Sequence, residues 1–138
     1  MRNLFAVMIS LAFIWPANAS DRMLHCIKEK HFSYRQGMSD KELLESFKEF
    51  DNPTRRLEPD ASLFLKVKEL DDNLQIIVTT PERPGESWEY ISFVHDSFDF
   101  FEARRGTTLM NYDGEYLTYA SVSVRWATIM MLRCRAIN

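Results

Sequence analysis

Residues 62–79 read SLFLKVKELDDNLQIIVT, and this stretch decides the fold. Leu63, Leu65 and Val67 alternate with Phe64, Lys66 and Lys68, then Leu74, Ile76 and Val78 resume the alternation on one face. Side chains of a strand point to opposite faces in turn, so period two means two half-buried strands, and Asp71-Asp72-Asn73 between them supplies the turn. The unit is an antiparallel hairpin.

The same grammar continues downstream. Pro81 to Ser87 reads as a loop, Trp88 to His95 as a strand, Asp96-Ser97 as a turn, Phe98 to Arg104 as a strand, Arg105-Gly106 as a turn, and Thr107 to Tyr112 as a strand. Asp113-Gly114 predicts a two-residue hairpin turn, because glycine takes positive φ at no steric cost, with Glu115 to Val124 returning. In the last segment Val122, Val124, Trp126, Met130, Leu132 and Cys134 share one parity, as one long bent strand or two short ones.

Upstream, Leu24 to Tyr34 reads as a first strand with Cys26, Phe32 and Tyr34 on one face. Ser39 as N-cap, Glu42 three residues on, and Met38 placed to staple against Leu43 open a helix over Asp40 to Phe50. Its apolar stripe is Leu43, Leu44, Phe47 and Phe50, and Asn52-Pro53 ends it. Seven or eight short strands with one helix predict a mainly β fold, a small antiparallel β-barrel or β-sandwich. The order strand, helix, further strands resembles the calycin type of barrel, which implies a sheet closed on itself. A helix at that place would plug or lid one end.

The first nineteen residues read as an export signal. Arg2 precedes an apolar run from Leu4 to Trp15, Pro16 breaks it, and Ala17-Asn18-Ala19 offers a small-residue cleavage site, so residues 1–19 are expected to be removed and Ser20 to be the first mature residue. The run is too short to span a membrane. Residues 20–138 then form a single β-rich domain. The absence of any Asn-x-Ser/Thr sequon after Ser20 leans towards a bacterial source, in its periplasm or outside the cell.

Cys26 and Cys134 are the only cysteines, one near each end, and an oxidising compartment closes such a pair into one disulfide. A loop that long contributes about 4–5 kcal/mol in the chain-entropy model.

Removing Arg2 with the leader takes the net charge from −3 to −4, with both signs mixed along the length, which excludes the concentrated positive face of a nucleic-acid or polybasic membrane binder. Arg55-Arg56 and Arg104-Arg105 read as solvated turn charges. No GxGxxG, P-loop or GxSxG occurs, so nucleotide chemistry has no motif to act through. His25, His31 and His95 show no metal-ligand spacing, and no cofactor or metal is expected. His25 and His31 are read as lying on one face of the first strand. His95-Asp96-Ser97 holds the residue types of a hydrolytic triad, yet consecutive residues cannot converge as a triad must. The carboxylates at Asp71-Asp72, Asp96 with Asp99, and Asp113 with Glu115 fall at turns and read as turn formers.

What remains is an aromatic excess over residues 88–126. Most of it is expected to pack the core; Trp88, Tyr90, Phe93, Phe101, Tyr116 and Tyr119 are the candidates for a contact surface. The leading expectation is a binding or accessory module, inhibitor-like, for an envelope or secreted protein partner. The alternatives are a carrier of a small apolar ligand in a barrel cavity, and a small hydrolase whose site forms only in the fold.

Overall fold

A computed structural model describes residues 21–51 and 62–137. The leader, Asn52-Pro53, Arg55-Arg56 and the proposed start at Ser20 lie outside the described residues. Among the described residues there are eight strands, β1 (Arg22–Arg35), β2 (Ser62–Leu70), β3 (Asn73–Thr79), β4 (Trp88–Ser97), β5 (Phe100–Arg105), β6 (Thr108–Tyr112), β7 (Tyr116–Val122) and β8 (Trp126–Ile137), and one helix, α1 (Asp40–Asp51). Each strand pairs antiparallel with the next, and β1 also pairs with β8, so the meander is a closed barrel rather than a sandwich. Closure removes the edges that an open sheet would expose.

The alternation read from residues 62–79 holds: Leu65, Val67, Leu74, Ile76 and Val78 are buried inside the barrel, with Asp71 at φ +43° in the tight turn between Leu70 and Asn73. From the other strands Leu24, Cys26, Tyr90, Phe101, Ala103, Met110, Tyr112, Leu117, Leu132 and Cys134 complete the core. Phe101 and Tyr112 pack with ring centroids 5.3 Å apart and planes tilted by 41°.

Cys26 and Cys134 face each other across β1 and β8 and are bonded, 108 positions apart in sequence. The bridge is therefore a rivet in the seam that closes the barrel.

Two expectations of parity are corrected. Glu29 is an extra residue opposite the step from Leu132 to Met131, and this bulge reverses the faces of β1 beyond it. Leu24, Cys26 and Lys28 take the inward parity before the bulge, and His31, Ser33 and Arg35 take it afterwards. Phe32 and Tyr34 thus lie opposite in sense to Cys26, and His25 opposite to His31. At the other end of the seam, a turn at Ser123 to Arg125 splits the last segment in two: the Ser123 N–H donates to the Trp126 carbonyl at 2.8 Å. Inward residues are odd in β7 and even in β8, so Val122 does not share the face of Met130. Around Asp113-Gly114 the turn is one residue displaced. Gly114 and Glu115 are its central residues, and the Asp113 N–H donates to the Tyr116 carbonyl at 3.2 Å.

The helix opens with the expected capping box: the Glu42 carboxylate accepts from the Ser39 N–H at 2.8 Å, and the Ser39 hydroxyl accepts from the Glu42 N–H at 3.3 Å. Its seat differs from a plug. Among the described residues β2 pairs with β1 only as far as Ile27, so the later half of β1 has no strand partner on that side. Helix α1 lies along it there. Ser46 Oγ donates to the Ser33 carbonyl at 2.9 Å and accepts from the Ser33 N–H at 3.3 Å, taking the hydrogen bonds a strand would have made. Phe32 packs on Phe47 and Phe50, with ring centroids at 4.6 and 6.5 Å.

Candidate functional site

The two ends of the barrel are built differently. At one end the turns Asp71-Asp72, Phe98-Asp99 and Asp113 to Glu115 are tight, Arg22 forms an ion pair with Asp99, and the Tyr112 hydroxyl donates to the Gly114 carbonyl at 2.8 Å. The other end carries the longer connections: the β1–α1–β2 passage and the loop over residues 80–87. It also holds a cup sunk into the barrel and a groove along its lip. Connections of that length, set on a rigid scaffold, are where binding residues concentrate.

The cup is the part of the interior that the core leaves unfilled. Its main chamber, about 230 Å³, is lined by Leu63, Val78, Trp88, Tyr90, Tyr119 and Met130 with Thr80, Thr108 and Arg105. A second chamber of about 180 Å³ shares Leu63, Thr80 and Met130 and adds Lys28, Ser62, Glu82 and Leu132. The register explains the convergence. Trp88 opposes Val78, Tyr90 opposes Ile76, Arg105 opposes Thr108, and Tyr119 lies between Met110 and Met130. Opposed residues share a face. The Tyr90 hydroxyl is hydrogen-bonded with Tyr119 and Thr108; burial and the Tyr119 phenol push its pKa well above the ordinary range, so it remains protonated. Thr108 and Ser121 hydroxyls meet at 2.8 Å.

The groove, about 740 Å³, runs where β1 ends, α1 begins and β7 turns into β8. Tyr34, Met38 and Trp126 give it an apolar floor, Arg35 and Arg125 supply two guanidinium groups, and Glu42, whose carboxyl Arg35 helps to hold below its ordinary value after the Ser39 hydrogen bonds, is the acid of the lining. Arg35 opposes Trp126 in the ladder, and the Gln36 N–H donates to the Arg125 carbonyl at 2.7 Å. Val124, at the tip of the turn, is 96% exposed.

The six aromatic candidates do not form one surface. Trp88, Tyr90 and Tyr119 meet in the cup, whereas Phe101 is in the core, fully buried. Phe93 is exposed on the outer wall, and Tyr116 hydrogen-bonds Arg133 at the closed end. What the sequence reading missed is the charge. Arg105 is exposed beside the Gly106 turn, as the sequence implies, and because it follows Phe101 and Ala103 at period two it also lines the cup. Among the described residues Arg22, Lys66, Arg83 and Arg133 form ion pairs; Lys28, Arg35, Arg105 and Arg125 form none, like Lys30, Lys41, Lys48, Lys68, Arg104 and Arg135, and are the ones that line the cup and the groove.

The histidines stand apart. His25 stacks on Phe64 at 4.7 Å on the outside. His31 is part-buried on the inward side, where burial and then Lys28 lower its pKa. His95 reaches Ser92 Oγ at 3.4 Å, but Ser92 is 2% exposed and its oxygen also accepts the Leu74 N–H at 2.7 Å. A nucleophile must be reached by its substrate, and that oxygen is not. Among the described residues no group of three or more His, Cys, Asp or Glu is placed to hold a metal ion, and no helix is long and apolar enough to cross a membrane. Comparison with protein-family models, curated proteins and solved structures returns no match for this chain.

Proposed function

We propose that this chain is an exported, disulfide-closed binding module that engages a protein partner in the cell envelope or outside the cell through the groove at its open end. One observation carries the reading: Arg35 and Arg125 line the same groove as Tyr34, Met38 and Trp126, two guanidinium groups against the single carboxylate of Glu42. Trp, Tyr and Arg are the side chains that dominate binding energy at protein interfaces, and guanidinium groups bind carboxylates through paired N–H donors. The occupant with matching chemistry is a segment of the partner that combines carboxylates with an aromatic or aliphatic side chain. Export is supported by the leader sequence and by the Cys26–Cys134 bond, which persists in oxidising compartments.

Selection of a random displayed-peptide library on the immobilised protein tests the reading. Peptides carrying acids beside apolar residues should be enriched, and the Arg35→Glu/Arg125→Glu double variant should lose them at least tenfold. Enriched peptides without carboxylates, or binding indifferent to the double charge reversal, would overturn it.

A further inference from the structure

We infer that the cup, separately from the groove, is a binding site for a small organic anion with an apolar body of about one ring. Three observations converge. The first is polarity along the barrel. At the open end the inward parity of the strands carries Lys28, Arg35 and Arg105, while the strand carboxylates there, Glu29 and Glu89, take no inward place: Glu29 sits in the bulge and pairs with Arg133, and Glu89 opposes Ile77 on the outer face. The acid that lines the cup is Glu82, from the loop, in the second chamber. A concave site with low-dielectric walls concentrates the field of such cations on whatever enters it.

The second is size. A chamber of about 230 Å³ corresponds to the liquid volume of about eight water molecules at ~30 Å³ each, which is the bulk of one ring with a short substituent and less than a drug-sized pocket. The third is the lining. Trp88, Tyr90 and Tyr119 offer ring faces and edges, and Leu63, Val78 and Met130 offer aliphatic wall, so the body of the ligand is apolar. Arg105 sits at the rim of the same chamber with the Thr108 hydroxyl beside it, so the anionic group lies there, against the guanidinium.

Benzoate and its neutral isostere benzamide are the probes, and the protein reports on both of its sites through two indoles, Trp88 in the cup and Trp126 in the groove. In nitrogen–proton correlation spectra, benzoate should shift the Trp88 indole resonance saturably and leave Trp126 in place, with benzamide at least tenfold weaker. Arg105→Gln, a change at an exposed hairpin end, should weaken benzoate about tenfold, equivalent to about 1.4 kcal/mol, and leave benzamide as it was. A still Trp88 resonance at saturating millimolar benzoate would overturn the inference, and so would equal affinity for the two probes. Failure here leaves the groove reading intact, since that reading predicts movement of Trp126 with an acidic peptide.

Discussion

The turn at Asp113 shows how one side chain fixes a stretch of backbone. Asp113 Oδ1 accepts the Tyr116 N–H at 2.7 Å and the Glu115 N–H at 3.0 Å, and those two backbone donors hold its carboxyl below the ordinary carboxylate value. A lowered folded-state pKa stabilises the protein above the unfolded pKa, and that share is lost as pH falls through the folded value. Asp113→Asn keeps an oxygen acceptor but no charge, so its melting temperature should fall less than that of the unmodified protein between pH 4 and pH 2. Thermal melts followed by circular dichroism at stepped pH measure the difference. Asp21, lowered first by its hydrogen bond with Lys66, and Glu42, lowered by Ser39, retain their own share of the acid limb in both proteins. Gly114, next in the turn, has φ +98°, and an added Cβ would stand 3.3 Å from the Asp99 carbonyl. Gly114→Ala should therefore cost about 1–2 kcal/mol, read as a lower denaturant midpoint with an unchanged slope. Asp113-Gly114 was legible as a turn because glycine and aspartate advertise it. Its exact register was not, because the Asp113 side chain joins its backbone in bridging to Tyr116 and so makes Gly114 and Glu115 the central residues.

At the scale of elements, α1 is the least secured part of the fold. A helix of 12 residues is marginal by itself in water, and none of its side chains is buried. It is held by Phe32 against Phe47 and Phe50, by Ser46 on Ser33 of β1, and by Lys30, whose Nζ lies 5.7 Å over the Phe50 ring. Phe32→Ala removes the central ring of that contact, an aromatic interaction of about 0.5–1.5 kcal/mol beyond area burial. Amide hydrogen exchange across residues 40–51 should accelerate several-fold while that of β2 to β7 stays unchanged. Equal acceleration in barrel and helix would show instead that the helix and barrel unfold as one unit. Period two made β2 and β3 readable from sequence, and the capping box made α1 readable; the aromatics of residues 88–126 were legible as a group, but not which three would meet in the cup. The bulge at Glu29 was not, since a single inserted residue leaves no compositional mark and yet reverses every side chain after it. Nor was the turn at Ser123 to Arg125. It has no glycine, proline, asparagine or aspartate, and its local work is done by Ser123 Oγ accepting the Arg125 N–H at 3.2 Å. The inward cations escaped for the same reason. Arg105 and Lys28 are ordinary charges until the strand register sets them beside the cup.

At the scale of the molecule, everything at the open end depends on the seam between β1 and β8. These are the first and last strands, so their pairing closes the barrel over the longest sequence separation in the fold, and it is the costliest contact in chain entropy. The bond from Cys26 to Cys134 spans 108 positions and removes that cost from the unfolded chain. The seam continues past the disulfide as the ribbon that carries Lys28, His31, Ser33 and Arg35 opposite Leu132, Met130, Thr128 and Trp126, so cup and groove share it as a wall. Replacing both cysteines by alanine should lower stability by about 2–5 kcal/mol, and the melting temperature by roughly 10–20 °C for a domain of this size. The loss should fall unevenly. With the rivet gone, amides of β1 and β8 should exchange faster than those of the β2–β3 hairpin, whose register is set by a two-residue turn. Acidic-peptide binding at Trp126 and benzoate binding at Trp88 should weaken together, because both sites lose a common wall. If the two responses separate in the cysteine-free protein, with one site weakened and the other untouched, the ribbon is not the shared support of the open end.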